Sequence, residues 1–165
     1  VTAREYPGEI LRRIAAIAEA DPDREVCGFV VRPRAGAALE VVAVANALGA
    51  AEGPPGLPAS PRHAYLADPA AQLRLFRRLR EEGGEVVACY HSHPGGPAAL
   101  SRLDVDHALV DGSPVVPDAE QIVVAIAAGR KPEMARFRWN GGEFTSVPLQ
   151  AAPLPAAPAR ALTEK

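Results

Sequence analysis

Apolar residues recur at Ile10, Leu11, Ile14, Ile17 and Ala18, with Arg12, Arg13 and Glu19 between them. That i, i+3/i+4 stripe predicts an amphipathic helix over Pro7–Ala20, ended by Asp21-Pro22-Asp23. Val26 to Val31 is a nearly continuous apolar run, the pattern of a central strand covered on both faces. Leu39–Ala45 reads as a second strand. Asn46–Arg62 holds four prolines and three glycines without periodicity and is expected to be an exposed loop. Tyr65 falls in a short strand. Asp68-Pro69 then opens a helix, with Asp as cap and Pro at the first helical position. Its apolar positions are Leu73, Phe76 and Leu79, with Leu75 alongside, and Arg74, Arg77, Arg78 and Arg80 form the polar side.

Gly83-Gly84 separates that helix from a strand at Glu85–Tyr90. A further helix is expected from Ser101 through Val110, stopping at Asp111-Gly112, followed by a loop over Ser113–Glu120. Ile122–Ala127, Met134–Trp139 and Glu143–Leu149 read as strands, the last two joined by an Asn140-Gly141-Gly142 hairpin turn. Residues 150–165 are Ala/Pro-rich without periodicity and read as a disordered tail after a single domain at 1–149. Strands alternating with helices, then a closing antiparallel set, predict an α/β (α+β) domain: one mixed sheet flanked by helices.

A chain of 165 residues is long enough to bury a full core without a disulfide scaffold. The formal net charge of −2 and hydrophobic content of 48% give no electrostatic case for nucleic acid or a membrane surface. The four arginines of the second helix therefore read as a solvated face. Cys27 and Cys89 sit in apolar strands outside any Cys-x-x-Cys pair, as expected of buried reduced thiols. With no secretory leader pattern and no apolar run of membrane-spanning length, a cytoplasmic protein is expected.

The chemistry concentrates between His91 and Asp104. His91 and His93 are at i and i+2 of a strand end and face the same way. Pro94-Gly95-Gly96-Pro97 ends the strand, and Ser101-x-x-Asp104 starts a helix in the manner of a capping box. Ser101 and Asp104 alone need be no more than a cap; with His-x-His-Pro upstream they suggest a metal site. Two imidazoles and one carboxylate leave an open position, the arrangement of catalytic rather than structural zinc. His107 shares a helix face with Asp104 and reads either as a supporting residue or as exposed. Glu25, at the start of the first central strand, reads by itself as a solvated charge.

Other His-x-His chemistries fit poorly. A metallo-β-lactamase-like site wants further histidines where Pro94 and Gly95 stand. An amidohydrolase barrel needs about 250 residues. The deaminase Pro-Cys-x-x-Cys and the helical His-Glu-x-x-His are both absent.

His91, His93, Pro94, Ser101 and Asp104, at unbroken spacing, together with Glu25-Val26-Cys27-Gly28, resemble the JAMM (MPN-domain) metalloproteases. The compact bacterial members are the most similar. Looser similarity at Asn46, Tyr65, Asp68-Pro69, Ala88-Cys89-Tyr90 and Phe137-Arg138-Trp139 extends the resemblance over roughly residues 5–149. It implies an MPN, cytidine-deaminase-like fold and one zinc ion held by His91, His93 and Asp104. It also implies Glu25 as general base and Ser101 as oxyanion donor. The implied substrate is a ubiquitin-like or sulfur-carrier protein, cut after its C-terminal Gly-Gly. The oligomeric state is left open. A catalytically silent MPN-type scaffold and a RadC-like DNA-associated protein are the competing readings. Ser92, where RadC-like segments carry Asn, and the Glu25–Gly28 match both weigh against the latter.

Overall fold

The computed structural model describes residues 4–48, 60–149 and 151–152. Strand β1 (Tyr6–Pro7) leads into helix α1 (Gly8–Ala20), which is followed by strands β2 (Cys27–Arg32) and β3 (Glu40–Val44). Helix α2 (Pro69–Glu82) precedes the long strand β4 (Glu85–Pro94). Helix α3 (Arg102–Ala108) runs into a small hairpin of β5 (Leu109–Val110) and β6 (Ser113–Pro114). Strands β7 (Glu120–Ile126), β8 (Glu133–Trp139), β9 (Phe144–Val147) and β10 (Ala151–Ala152) complete the chain. Six strands form one mixed sheet in the order β3-β2-β4-β7-β8-β9. In it β4 and β7 run parallel, so the chain must cross back between them, and α3 lies on that crossover.

Alternation along β2 splits the core into two layers. Val30 faces α1, where it meets Ile10, Ile14 and Ala18 together with Tyr90 and Ile122. Phe29 and Val31 face α2, where Leu75 and Leu79 cover them. The pairing of β2 with β4 is interrupted by a bulge: Val30 opposes Ala88, but Val31 opposes Val86. Val87 is the extra residue, and Val87 and Ala88 both belong to the α1 layer. A bulge shifts the alternation of everything downstream. Val86 packs on the α2 side, so an unbroken β4 would turn residues 89, 91 and 93 toward α1. With the bulge, Cys89 packs in the α2 layer, and His91 and His93 share its side.

Several expectations are corrected. The buried stripe of α2 is Leu75 and Leu79, while Leu73 is 51% exposed. Phe76 is only partly buried and meets Phe29 edge-on. The helix after Ser101 ends at Ala108. Asp111 and Gly112 adopt positive φ and turn the β5–β6 hairpin, whose second strand lies in the expected loop. An Asp-Gly pair suits a two-residue hairpin turn better than a helix end. Tyr65 lies outside any strand, although Asn46 and Ala67 form an isolated bridge nearby. The 46–62 segment starts inward, since Leu48 is buried; residues 49–59 lie outside the described residues. At the other end, β10 pairs parallel with β1. Residue 150 and the remainder of the expected tail, 153–165, also lie outside the description.

A buried polar network ties the N-terminal strand to the sheet. The Tyr6 hydroxyl donates to Glu120 Oε2 at 2.7 Å, and Arg138 donates twice to Glu120 Oε1, at 2.7 and 3.0 Å. Arg136, only 1% exposed, lies 3.5 Å from Glu120 Oε2 and also donates to the Arg4 carbonyl. No helix among the described residues is long and apolar enough to cross a membrane.

Candidate metal centre

The last residues of β4 carry His91 and His93, and the first turn of α3 carries Asp104. The strand continues through both histidines to Pro94, where the Pro/Gly turn ends it. The two Nε2 atoms lie 3.0 Å apart. His91 Nε2 is 3.3 Å from Asp104 Oδ1, and His93 Nε2 is 3.3 Å from Asp104 Oδ2. His91 and Asp104 are buried. Two imidazole nitrogens this close, beside a carboxylate, need a proton or a cation between them. Ligands about 2.0–2.2 Å from a tetrahedral ion stand about 3.3–3.6 Å from one another, close to the spacing here. The donor set and its spacing therefore suit a small divalent metal ion.

The cap and the cluster are one device. Ser101 Oγ accepts from the Asp104 amide at 3.1 Å, and the Ser101 amide donates to Asp104 Oδ2 at 2.6 Å. This reciprocal capping box fixes the Asp104 carboxylate toward the histidines. Burial would raise the Asp104 pKa, but hydrogen bonds from His91, His93 and Ser101 outweigh it and hold the carboxyl well below the usual range. His91 is depressed, because burial penalises its charged form more than Asp104 favours it. For His93, burial is outweighed by Asp104 and the Pro97 carbonyl, so its pKa is raised. His93 Nδ1 lies 3.0 Å from that carbonyl, the kind of outer contact that orients a ligating imidazole. His91 Nδ1 has no hydrogen-bond partner among the described residues; its ring is stacked on Tyr65 instead, with centroids 4.7 Å apart.

Glu25 precedes β2 and is 5% exposed, and its Oε2 has no partner among the described residues. Burial lifts its pKa to about 7; the charge of His93 opposes the rise and that of Asp104 adds to it. Both charges are thus felt at Glu25. Its backbone is tightly held: its amide donates to the Pro61 carbonyl at 2.7 Å, and Ser92 binds the neighbouring Val26 through both its amide and its hydroxyl, each at 2.9 Å. Ser101 is exposed, with its hydroxyl hydrogen free of the cap.

Comparison with known proteins identifies the family. The profile of prokaryotic homologs of the JAB domain matches residues 7–140. The chain belongs to this family. Over 54 residues it is 48% identical to a Thermus thermophilus protein named "Probable TtuB-protein conjugate cleaving protease", covering 33% of this chain but only 36% of the relative. It is 28% identical over 130 residues to the desampylase of Haloferax volcanii, covering 79% of this chain and 80% of that one. A solution structure of a Desulfitobacterium hafniense protein, 23% identical, superposes with a TM-score of 0.61 over 90% of this chain and 93% of the other, and shows a shared fold.

Around the cluster of this JAB-family chain lie residues whose roles sequence reasoning left open or unassigned. Tyr65 is the stacking partner of His91, and no periodicity marks an aromatic residue in a loop. Ser92 lies between the two histidines but turns back to hold Val26. His107 is exposed and borders a cavity rather than the cluster. That cavity, of 390 Å³, is lined by Phe29, Tyr65, Cys89, Val115 and Val116 among others. Cys27 and Cys89 are free thiols whose pKa burial pushes up to about 12, which keeps them protonated.

Proposed function

We propose that this chain is a zinc-dependent peptidase or isopeptidase that hydrolyses the bond after the C-terminal Gly-Gly of a ubiquitin-like or sulfur-carrier protein. The observation that carries this reading is the convergence of His91, His93 and Asp104 on one point; the buried Glu25, its pKa lifted by burial to about 7, supports it. His91, His93 and Asp104 would hold the zinc. When bound, it supplies Lewis acidity and makes water a stronger acid. Glu25 takes the proton of the attacking water and hands it to the leaving amine, work that suits a carboxyl titrating near neutrality. The Ser101 hydroxyl spends its lone pair on the Asp104 amide and keeps its hydrogen for the oxyanion. Tyr65, stacked on His91, also walls the 390 Å³ cavity, which offers an apolar side chain of the substrate tail a place beside the reacting bond.

Family membership supports the reaction class, and the Thermus relative's name describes cleavage of a protein conjugate. The test uses a Gly-Gly-terminated ubiquitin-like protein carrying a C-terminal reporter. Wild-type protein loaded with zinc should release the reporter. Glu25→Ala should release none, while metal analysis finds one zinc per chain in both. Cleavage at the wild-type rate by Glu25→Ala would refute its role as base.

A further inference from the structure

The two halves of the site are held together by a side chain outside it. Asn46 Nδ2 donates to the Glu25 carbonyl at 3.0 Å and to the Ala64 carbonyl at 3.1 Å. Asn46 Oδ1 accepts from the Leu48 amide and the Leu66 amide, each at 3.1 Å. A primary amide has two donor hydrogens and two acceptor lone pairs, so this side chain is saturated. Its partners are not arbitrary. One is the backbone of Glu25. Two others, the Ala64 carbonyl and the Leu66 amide, flank Tyr65, whose ring stacks on His91. The backbone reinforces the junction, since the Ala47 amide donates to the Leu66 carbonyl at 2.8 Å.

We propose that Asn46 is a positioning residue: its amide joins the Glu25 segment to the Tyr65 segment and so sets the general base against the metal ligands. The inference rests on the hydrolase reading above. No other short side chain makes these four bonds. Alanine makes none of them. Aspartate keeps the two acceptor bonds to Leu48 and Leu66 but turns both donor bonds into repulsion between oxygens. Glutamine carries the same amide one methylene too far from its backbone.

Asn46→Asp, which preserves the local turn, is the discriminating variant. It should lower kcat by about 10- to 100-fold, the usual cost of losing an outer contact at a metal site, with KM nearly unchanged. Zinc affinity, read by competition with a chelator, should stay at the wild-type level, because His91, His93 and Asp104 are untouched. Independently of activity, amide hydrogen exchange at Glu25 and Val26 should speed up while Phe29, inside β2, stays protected. An unchanged kcat, a parallel fall in zinc affinity, or unchanged exchange at Glu25 and Val26 would each overturn the proposal. Failure of wild-type protein to hydrolyse the reporter defeats the hydrolase reading instead, and leaves the exchange result to judge whether Asn46 holds Glu25.

Discussion

Glu25 lies out of water, and burial lifts its pKa from 4.5 to about 7. The folded, metal-free protein therefore binds this proton more tightly than the unfolded chain does. The stabilisation is complete below a pH of about 4.5 and is lost as pH rises through about 7. Metal-free wild type should accordingly lose urea resistance across that window relative to Glu25→Gln, whose side chain does not titrate. A constant gap between the two denaturation midpoints would show that the carboxyl is not buried as described. At this scale the histidine pair was legible from spacing alone, whereas Glu25 was singled out only through the family resemblance. His91 and His93 stand two apart on a strand, and backbone geometry alone puts them on one side. Glu25 next to Arg24 looks like any charge at a strand end. Its backbone is pinned by Asn46 and Pro61, partners distant in the chain that local sequence does not encode.

The element that presents the third donor is α3, seven residues long and too short to hold itself by backbone bonds alone. Its capping box does double service, and Ser101→Ala separates the two parts. The variant should lose about 0.5–2 kcal/mol of stability with its cap, read from thermal or urea denaturation. On the proposed mechanism, in which Ser101 is the oxyanion donor, it should also lose about 100- to 1,000-fold in kcat. Zinc affinity should change far less, because the Ser101 amide still orients Asp104 Oδ2. The start of α3 was readable from Ser-x-x-Asp; its end was not. Leu109 and Val110 continue an apolar pattern that suits a helix, and the hairpin formed because Asp111-Gly112 reverses the chain at positive φ. In α2 the same ambiguity misplaced Leu73. Leu73, Leu75, Phe76 and Leu79 cover more of the helix than one face can bury, and packing on Phe29 and Val31 selected Leu75 and Leu79.

Across the whole molecule, the Glu120 network locks β1 to β7 and β8, and no short-range pattern announced it. Glu120 is 2% exposed and balances Arg136, which is 1% exposed. Glu120→Ala should cost about 3–5 kcal/mol, because it strands a buried guanidinium without its counter-charge; chemical denaturation would measure it. A near-neutral result would mean that water reaches Arg136. The amino-acid order by itself determined what is local: the apolar periods of α1 and β2, the two-residue spacing of the imidazoles, the cap that starts α3, and the donor chemistry suited to a metal. Tertiary structure decided what is relational. The extra residue Val87 turned positions 89, 91 and 93 toward α2 and α3 rather than toward α1, and the pairing of Cys27 with His91 brought the distant Glu25 to the same end of the sheet. The physical reason is that side-chain direction along a strand is set by backbone geometry over two residues, whereas the face it meets depends on register against a strand far away in the chain.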